Sequence, residues 1–379
     1  MTEETGEVSE RPTTSPWVRA AVVVVGVRVV FFAIAYAASY YLSPDTEGPP
    51  GGGVFDLWVQ WDALRFLTTS EHGYTSPAAT PNATAFFPLF PLALRPFTLL
   101  GFSPALAGTI VSGLASWVAL AYLYRLAERD HPGTGTNAML YLALFPTALF
   151  LIAPYSESLF LAGAIAAFFY ARSGRWHLVG IPAAVAMGSR FAGVFLLAGL
   201  LIEFLRQGDR TRERVMNAAV SLVVGTLPLL AYAAYLAQVK GDPLYFFVDQ
   251  RQGWGRTLTS PLAALSNSFD RLQIETSGNL MMIYRLEIVG AAVGIAFVAW
   301  ALAKREWGYA AFMGLTLAAL LVSSEYMSIP RILVTFFPVS IFAAQLTRRS
   351  ATAHEIYLFS TTALMTMGVL VYTRGGWYF

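Results

Sequence analysis

The sequence predicts an all-α, polytopic membrane helical bundle, and three observations predict it. Long apolar runs recur along the 379 residues and are separated by polar breaks. Hydrophobic residues make up 56% of the chain and charged residues only 13%, about half the roughly 25% charged content of ordinary soluble domains. Among the short breaks, Arg and Lys fall almost entirely at every second one, the pattern expected where basic residues are retained on the cytoplasmic side of a membrane. The net charge of +2 follows from these basic loops and needs no nucleic-acid partner. Cysteine is absent, which removes disulfides, thiolate metal sites and Cys-based nucleophilic catalysis.

Residues 1–15 are rich in Glu, Thr, Ser and Pro and read as a disordered cytoplasmic tail. Residues 16–379 then read as one transmembrane domain. Trp17 to Tyr40 forms an uncleaved first span, too long for a signal-peptide core. A polar Gly/Pro-rich loop over about 43–84 follows. Ala85 to Leu100, interrupted by Pro88, Pro91 and Pro96, predicts a kinked, re-entrant or interfacial segment. The next span ends at Tyr124, before Arg125 and Arg129. Met139 to Ala153 leads to Tyr155-Ser156-Glu157-Ser158, and Leu159 to Tyr170 returns to Arg172 and Arg175.

His177 to Leu205 is too long for one span and carries Gly188-Ser189-Arg190 near its middle, which predicts a pair of short helices. Arg206 to Arg214 closes it, and Val215 to Leu236 opens a second long loop over about 240–279. Leu280 to Leu302, Tyr309 to Val322, Ile332 to Gln345 and Ile356 to Val371 complete about eleven crossings or partial crossings. With the arginine-rich breaks inside, both long loops, Glu157, Glu325 and the Arg190 junction share the non-cytoplasmic side. No cytoplasmic loop is large enough for a nucleotide-binding domain, and no phosphate-binding Gly-rich loop is present.

The densest polar constellation is Trp58-Val59-Gln60-Trp61-Asp62-Ala63-Leu64-Arg65-Phe66. If Trp61 to Thr69 is a helix, Asp62 and Arg65 share a face. A carboxylate held there can accept a proton from an incoming hydroxyl; the plainer alternative is an interfacial helix with a local ion pair. Asp56 is the rival carboxylate, with a cap or loop hydrogen bond as its plainer role. Glu157 can orient a sugar hydroxyl, meet an arginine or cap its helix. Arg190, a cation inside an apolar run, needs a partner: either Glu157 or a phosphate held through its forked donors. Arg251, Trp254 and Arg256 in the second long loop offer cations and an aromatic platform for an anionic lipid head and a sugar, or for phospholipid headgroups. Arg331 repeats the theme at a later helix start. His72 lacks the neighbours that zinc requires, and Gly290 and Gly294 permit close helix contact.

Taken together, Trp61-Asp62 with Gly73-Tyr74, the run Ala85-Phe86-Phe87-Pro88-Leu89-Phe90-Pro91, Tyr155-Ser156-Glu157-Ser158, Ser189-Arg190-Phe191-Ala192-Gly193 and Pro330-Arg331 resemble the PIG-V family of mannosyltransferases. These are multi-pass enzymes of the C-type glycosyltransferase fold. The resemblance implies transfer of mannose from a polyprenyl-phosphate-mannose donor to a hydroxyl-bearing glycan, glycolipid or protein at the non-cytoplasmic membrane face, with inversion at the anomeric carbon. It assigns the base to Asp62, with Glu157 and Arg190 framing the same cavity. Trp61, Arg65, Arg251, Trp254, Arg256 and Arg331 complete the candidate substrate contacts. No further cofactor is implied; a divalent ion can assist such chemistry, but the sequence supplies no distinctive metal cage. The expected setting is a bacterial or archaeal plasma membrane. A lipid or lipid-linked sugar flippase, or a noncatalytic membrane assembly subunit, are the competing readings.

Overall fold

The computed structural model describes residues 14–42, 53–208 and 210–379. Most of the expected tail, and the first part of the first long loop, therefore lie outside the described residues. Among the described residues seventeen α-helices follow one another: α1 Pro16–Tyr41, α2 Asp62–His72, α3 Leu89–Leu99, α4 Pro104–Asp130, α5 Gly135–Ala143, α6 Leu149–Ile152, α7 Glu157–Arg172, α8 Gly180–Ser189, α9 Gly193–Arg206, α10 Arg212–Lys240, α11 Tyr245–Trp254, α12 Pro261–Ile274, α13 Gly278–Ala303, α14 Trp307–Leu321, α15 Ile329–Leu333, α16 Pro338–Thr347 and α17 Ala351–Tyr372. Five of them (α1, α4, α10, α13 and α17) are long and apolar enough to cross a membrane. The other expected spans are short or broken helices, so the alternation of apolar runs marks passes through the bundle without making each a full-length crossing.

Helix α1 shows how the sequence sorts its faces. Val18, Val22, Val25 and Val29, spaced by four, three and four, are exposed, while Ala20, Val24, Phe31 and Ala35 are buried. That is a stripe suited to lipid opposite a stripe suited to packing, and the packed stripe meets α4. Ser15 begins the helix by accepting from Trp17 N, with Pro16 at its first position. Inside the bundle α4, α7 and α8 are the central layers, and α9 packs on α14.

The two ends of α7 carry opposite kinds of polar cluster, about 22 Å apart at ~1.5 Å per residue. At its last residue, Arg172 meets Asp130 at 2.6 Å and Glu203 at 3.5 Å, pairs with Glu306 and lies over the Tyr309 ring at 3.9 Å. The ends of α4, α7 and α9 and the start of α14 are thus tied together where the alternating arginines were expected to gather. At its first residue, Glu157 belongs to the second cluster.

The break expected around Gly188-Ser189-Arg190 is present. Helix α8 stops at Ser189, Arg190 takes up extended backbone (φ −156°, ψ 148°), and α9 begins at Gly193.

Candidate active site

A carboxylate–guanidinium chain links four helices at the Glu157 end. Arg331 Nη1 donates to Asp62 Oδ2 at 2.6 Å and Arg331 Nε donates to Glu157 Oε1 at 2.5 Å. Arg190 Nη1 reaches the same Glu157 oxygen at 2.6 Å and Ser156 Oγ at 3.3 Å. Asp62 opens α2, Glu157 opens α7, Arg190 directly follows α8 and Arg331 lies in α15. The Arg331 guanidinium is also caged by aromatic rings, with Tyr155 at 4.5 Å and Phe150 at 4.9 Å from its carbon. Buried cations of this kind persist only when paired and hydrogen-bonded, and a planar fork is the group that can bridge two carboxylates.

Each acid is held by local structure. Glu157 is wholly buried, and the end of α6 that leads to it is stitched to α1 and α4. Arg28 Nη2 donates to Leu151 O at 2.8 Å, and its Nη1 to Ile152 O and Thr109 O, each at 3.3 Å. Ser116 and Ser112 donate to Leu151 O and Ile152 O at 3.0 and 3.3 Å. An irregular turn inside a membrane bundle must have its carbonyls satisfied from within the protein, and a cation in the middle of α1 does that. Arg28 is absent from the sequence-derived candidates, and its signal in the sequence is a lone arginine deep in an apolar span.

Asp62 is placed by a constrained turn. Trp61 has φ 53° and ψ −117°, an unusual conformation for a bulky side chain and one that marks stored strain. The turn is tied down on both sides: Trp61 Nε1 donates to Gly376 O at 3.1 Å, its ring lies 5.3 Å from Trp377, and the Gln60 carbonyl accepts from Tyr155 at 3.0 Å and Tyr372 at 3.2 Å. The Asp62 side chain remains 19% exposed. Its Oδ2 is taken by Arg331, and no donor among the described residues meets Oδ1.

The remaining candidates divide. Arg65 does not pair with Asp62, despite its helical spacing; it donates to Pro81 O and lies over the Trp254 ring at 5.0 Å, while Trp254 also packs on Phe86 at 5.4 Å. Arg65 and Trp254 therefore join the two long loops to each other. The same junction uses Asp249, which accepts from Thr84 N at 3.0 Å, and Gln250, which donates to Ala85 O at 3.3 Å. Tyr232 and Tyr74 donate to Thr84 O at 2.7 Å and Phe86 O at 2.9 Å, which fixes the backbone where the Ala85–Pro91 run begins.

Arg256 Nη2 lies 3.5 Å from Met327 O, and its charge faces Asp62 and Glu287 as well as Arg331 and Arg190. Burial pushes the Arg256 guanidinium below its ordinary pKa, an effect opposed by Asp62 and Glu287. Arg251 is exposed on α11. Asp56 is also exposed, outside the ion chain, with Oδ2 accepting from Gly53 N at 2.7 Å.

The donor set suits an anion better than a divalent cation. No group of three His, Cys, Asp or Glu suited to a metal occurs among the described residues, and a cation would have to displace Arg331 from both Asp62 and Glu157. Arg190 retains Nε and Nη2 donors beyond its contacts with Glu157 and Ser156.

Residues 52–205 match the family described as Mannosyltransferase (PIG-V). The chain is 36% identical over 203 residues to the GPI alpha-1,6-mannosyltransferase 2 of Mus musculus, covering 47% of this chain and 40% of that one. It is 26% identical over 240 residues to the GPI mannosyltransferase 2 of Yarrowia lipolytica, covering 61% and 63%. It thus spans less than two thirds of the length of these relatives. Among solved structures, the Archaeoglobus fulgidus oligosaccharyltransferase superposes with a TM-score of 0.50 at 15% identity, over 94% of this chain and 53% of that chain. That likeness concerns the C-type glycosyltransferase-like fold alone. Asp62, Glu157 and Arg190 fall inside the family-matched segment, and Arg331 falls outside it.

Proposed function

We infer, from a chain whose residues 52–205 match the PIG-V mannosyltransferase family, that the protein transfers mannose from a polyprenyl-phosphate-linked donor to a hydroxyl acceptor at the membrane boundary. The observation that carries this reading is the Asp62–Arg331–Glu157–Arg190 chain, which sets a carboxylate with one open oxygen beside several guanidinium donors. The acceptor oxygen attacks the anomeric carbon on the face opposite the phosphate. The bond between that carbon and the phosphate oxygen breaks, its electron pair leaves on the lipid phosphate, and the hydroxyl proton passes to Asp62 Oδ1. One displacement inverts the anomeric configuration.

Arg331 holds Asp62 in register, while the donors of Arg190 not used by Glu157 face the charge that develops on the leaving phosphate, and Arg256 adds a further positive charge. A soluble nucleotide-sugar pocket is unnecessary because the sugar arrives on its lipid. The acceptor is a hydroxyl-bearing glycan, glycolipid or protein; the relatives named for glycosylphosphatidylinositol synthesis favour a glycolipid. With the Arg172 end facing the cytoplasm, the site opens on the opposite side of a plasma membrane.

Reconstitution with labelled polyprenyl-phosphate-mannose and a membrane-extract acceptor pool, followed by product mass analysis, tests this. A mass gain of one hexose on the acceptor is expected. Movement of intact donor across the vesicle wall with no new glycosidic product would replace the enzyme by a flippase. Site-specific labelling tests the orientation, with Asp62 and Trp254 expected on one side and Arg210 on the other.

A further inference from the structure

Glu287 is a buried carboxylate on α13, 2% exposed, and it does not belong to the Asp62–Arg331–Glu157–Arg190 chain. Both of its oxygens are used on backbone: Oε1 accepts from Ser328 N at 2.6 Å and Oε2 accepts from Ile329 N at 2.8 Å. These are the amides that begin α15, where Ser328 stands in the left-handed region at φ 65° and no side chain of its own segment caps the helix. A carboxyl group from another helix takes that place, with hydrogen bonds to two amides that otherwise lack partners.

The contact continues along one face of α13. Glu287, Gly290 and Gly294 are spaced by three and four residues, so they share a face. A Cβ on Gly290 would come within 2.9 Å of Pro330 Cγ, and one on Gly294 within 3.2 Å of Leu333 Cδ2. Each position meets a successive part of the 328–333 segment. On the far side Thr147 Oγ1 donates to Pro330 O at 2.9 Å. Arg331, two residues beyond the second amide that Glu287 holds, is therefore set from both sides before its guanidinium reaches Asp62 and Glu157.

We propose that Glu287, seated beside Gly290, is a positioning residue for the transfer reaction: by fixing the Ser328 and Ile329 amides it sets Arg331 between Asp62 and Glu157. The role rests on the mannosyl-transfer reading for its consequence and on geometry alone for its mechanism. In E287Q one acceptor oxygen becomes an NH2 that faces a backbone N–H, so one of the two bonds is replaced by a clash of donors.

The test compares wild type, E287Q, G290A, R331K and the E287Q/R331K pair, as full-length protein purified to a monodisperse state. Hydrogen exchange followed by mass spectrometry on the 326–334 peptide needs no turnover, and E287Q should exchange faster there while peptides from α7 and α8 do not change. Turnover with labelled polyprenyl-phosphate-mannose and the membrane-extract acceptor pool should show kcat for E287Q reduced on the order of 10- to 100-fold, the scale of an ångström-level misplacement, with donor KM near that of wild type. On the R331K background the same substitution should cost little more, because residues acting through one group are not additive.

Unchanged exchange at 326–334 overturns the proposal whatever the activity. A full additional loss from E287Q on R331K overturns it too, as does normal kcat in folded E287Q. If E287Q yields no folded protein, G290A crowds Pro330 while leaving the carboxylate in place, and normal kcat and exchange in G290A count against the cradle. A wild-type protein that transfers no mannose sinks the functional reading, and the exchange result still decides whether Glu287 holds the segment.

Discussion

Arg331 and Asp62 meet at 2.6 Å although 269 positions separate them in the chain. The pairing fixes the carboxylate by one oxygen and leaves the other open to a 19% exposed side-chain surface, the arrangement that a base with a single reactive edge requires. A base placed by an ion pair with one fork of a guanidinium loses its proton-accepting edge when the carboxylate becomes an amide, but its neighbours keep their own partners.

D62N should accordingly lower mannosyl transfer by about 10²–10⁴-fold, the usual contribution of a positioned general base. Folded yield should fall little, because Arg331 retains Glu157 and the ring cage of Tyr155 and Phe150. Turnover per monodisperse molecule, measured beside donor binding, separates the two effects. Normal turnover in D62N would remove Asp62 from the chemistry.

Glu157 should behave in the opposite manner. Its Oε1 serves both Arg190 and Arg331, and it is wholly buried, so E157Q leaves one buried and one half-buried cation short of their shared anion. Breaking a buried pair from one side costs about 3–5 kcal/mol. Thermal unfolding in detergent should show a lowered Tm and a smaller monodisperse fraction for E157Q, beyond any change seen for D62N. Equal thermal stability of E157Q and wild type would mean that the ion chain is not what holds α7, α8 and α15 together.

Asp56 is expected to be dispensable for transfer. Its carboxylate is exposed and accepts from Gly53 N, a bond that an asparagine oxygen can also accept. D56N should therefore keep turnover within a few-fold of wild type, judged by the same labelled-donor assay. A loss as deep as that of D62N would mean that the two carboxylates act together.

Much of the architecture was legible because membrane helices advertise themselves one at a time. The long apolar runs became α1, α4, α10, α13 and α17, and an overlong run with Gly188-Ser189-Arg190 in its middle became α8 and α9. Side-chain pairing was not legible in the same way. Helical spacing placed Arg65 beside Asp62, but a tertiary partner and a tryptophan face competed for each, and both won. Arg331 looked like a minor helper because nothing local announces that a residue near the end of the chain will sit between Asp62 and Glu157. Arg28 was hidden by averaging over a valine-rich span, and Glu287 by its place at the edge of another. In both cases the signal was the same: an ionisable group in an apolar run must have a partner, and here the partner is backbone.

Arg190 is where the structural and functional roles can be separated. Sequence left it two partners, Glu157 or a phosphate, and the structure supplies Glu157 through Nη1 at 2.6 Å. That contact uses one end of the fork. A 17% exposed side chain whose Nε and Nη2 meet no acceptor among the described residues can still present two donors to an anion. Lysine in its place keeps a single charged nitrogen for Glu157 and loses the second edge. R190K should consequently keep a monodisperse fraction close to that of wild type while the donor KM rises about tenfold, the loss expected for one charge-assisted hydrogen bond of roughly 1.5–3 kcal/mol at the low end of its range. R190Q should lose folded yield as well, since Glu157 then relies on Arg331 alone. Donor binding and turnover measured on both variants decide the matter: unchanged donor KM in folded R190K would confine Arg190 to its ion pair with Glu157.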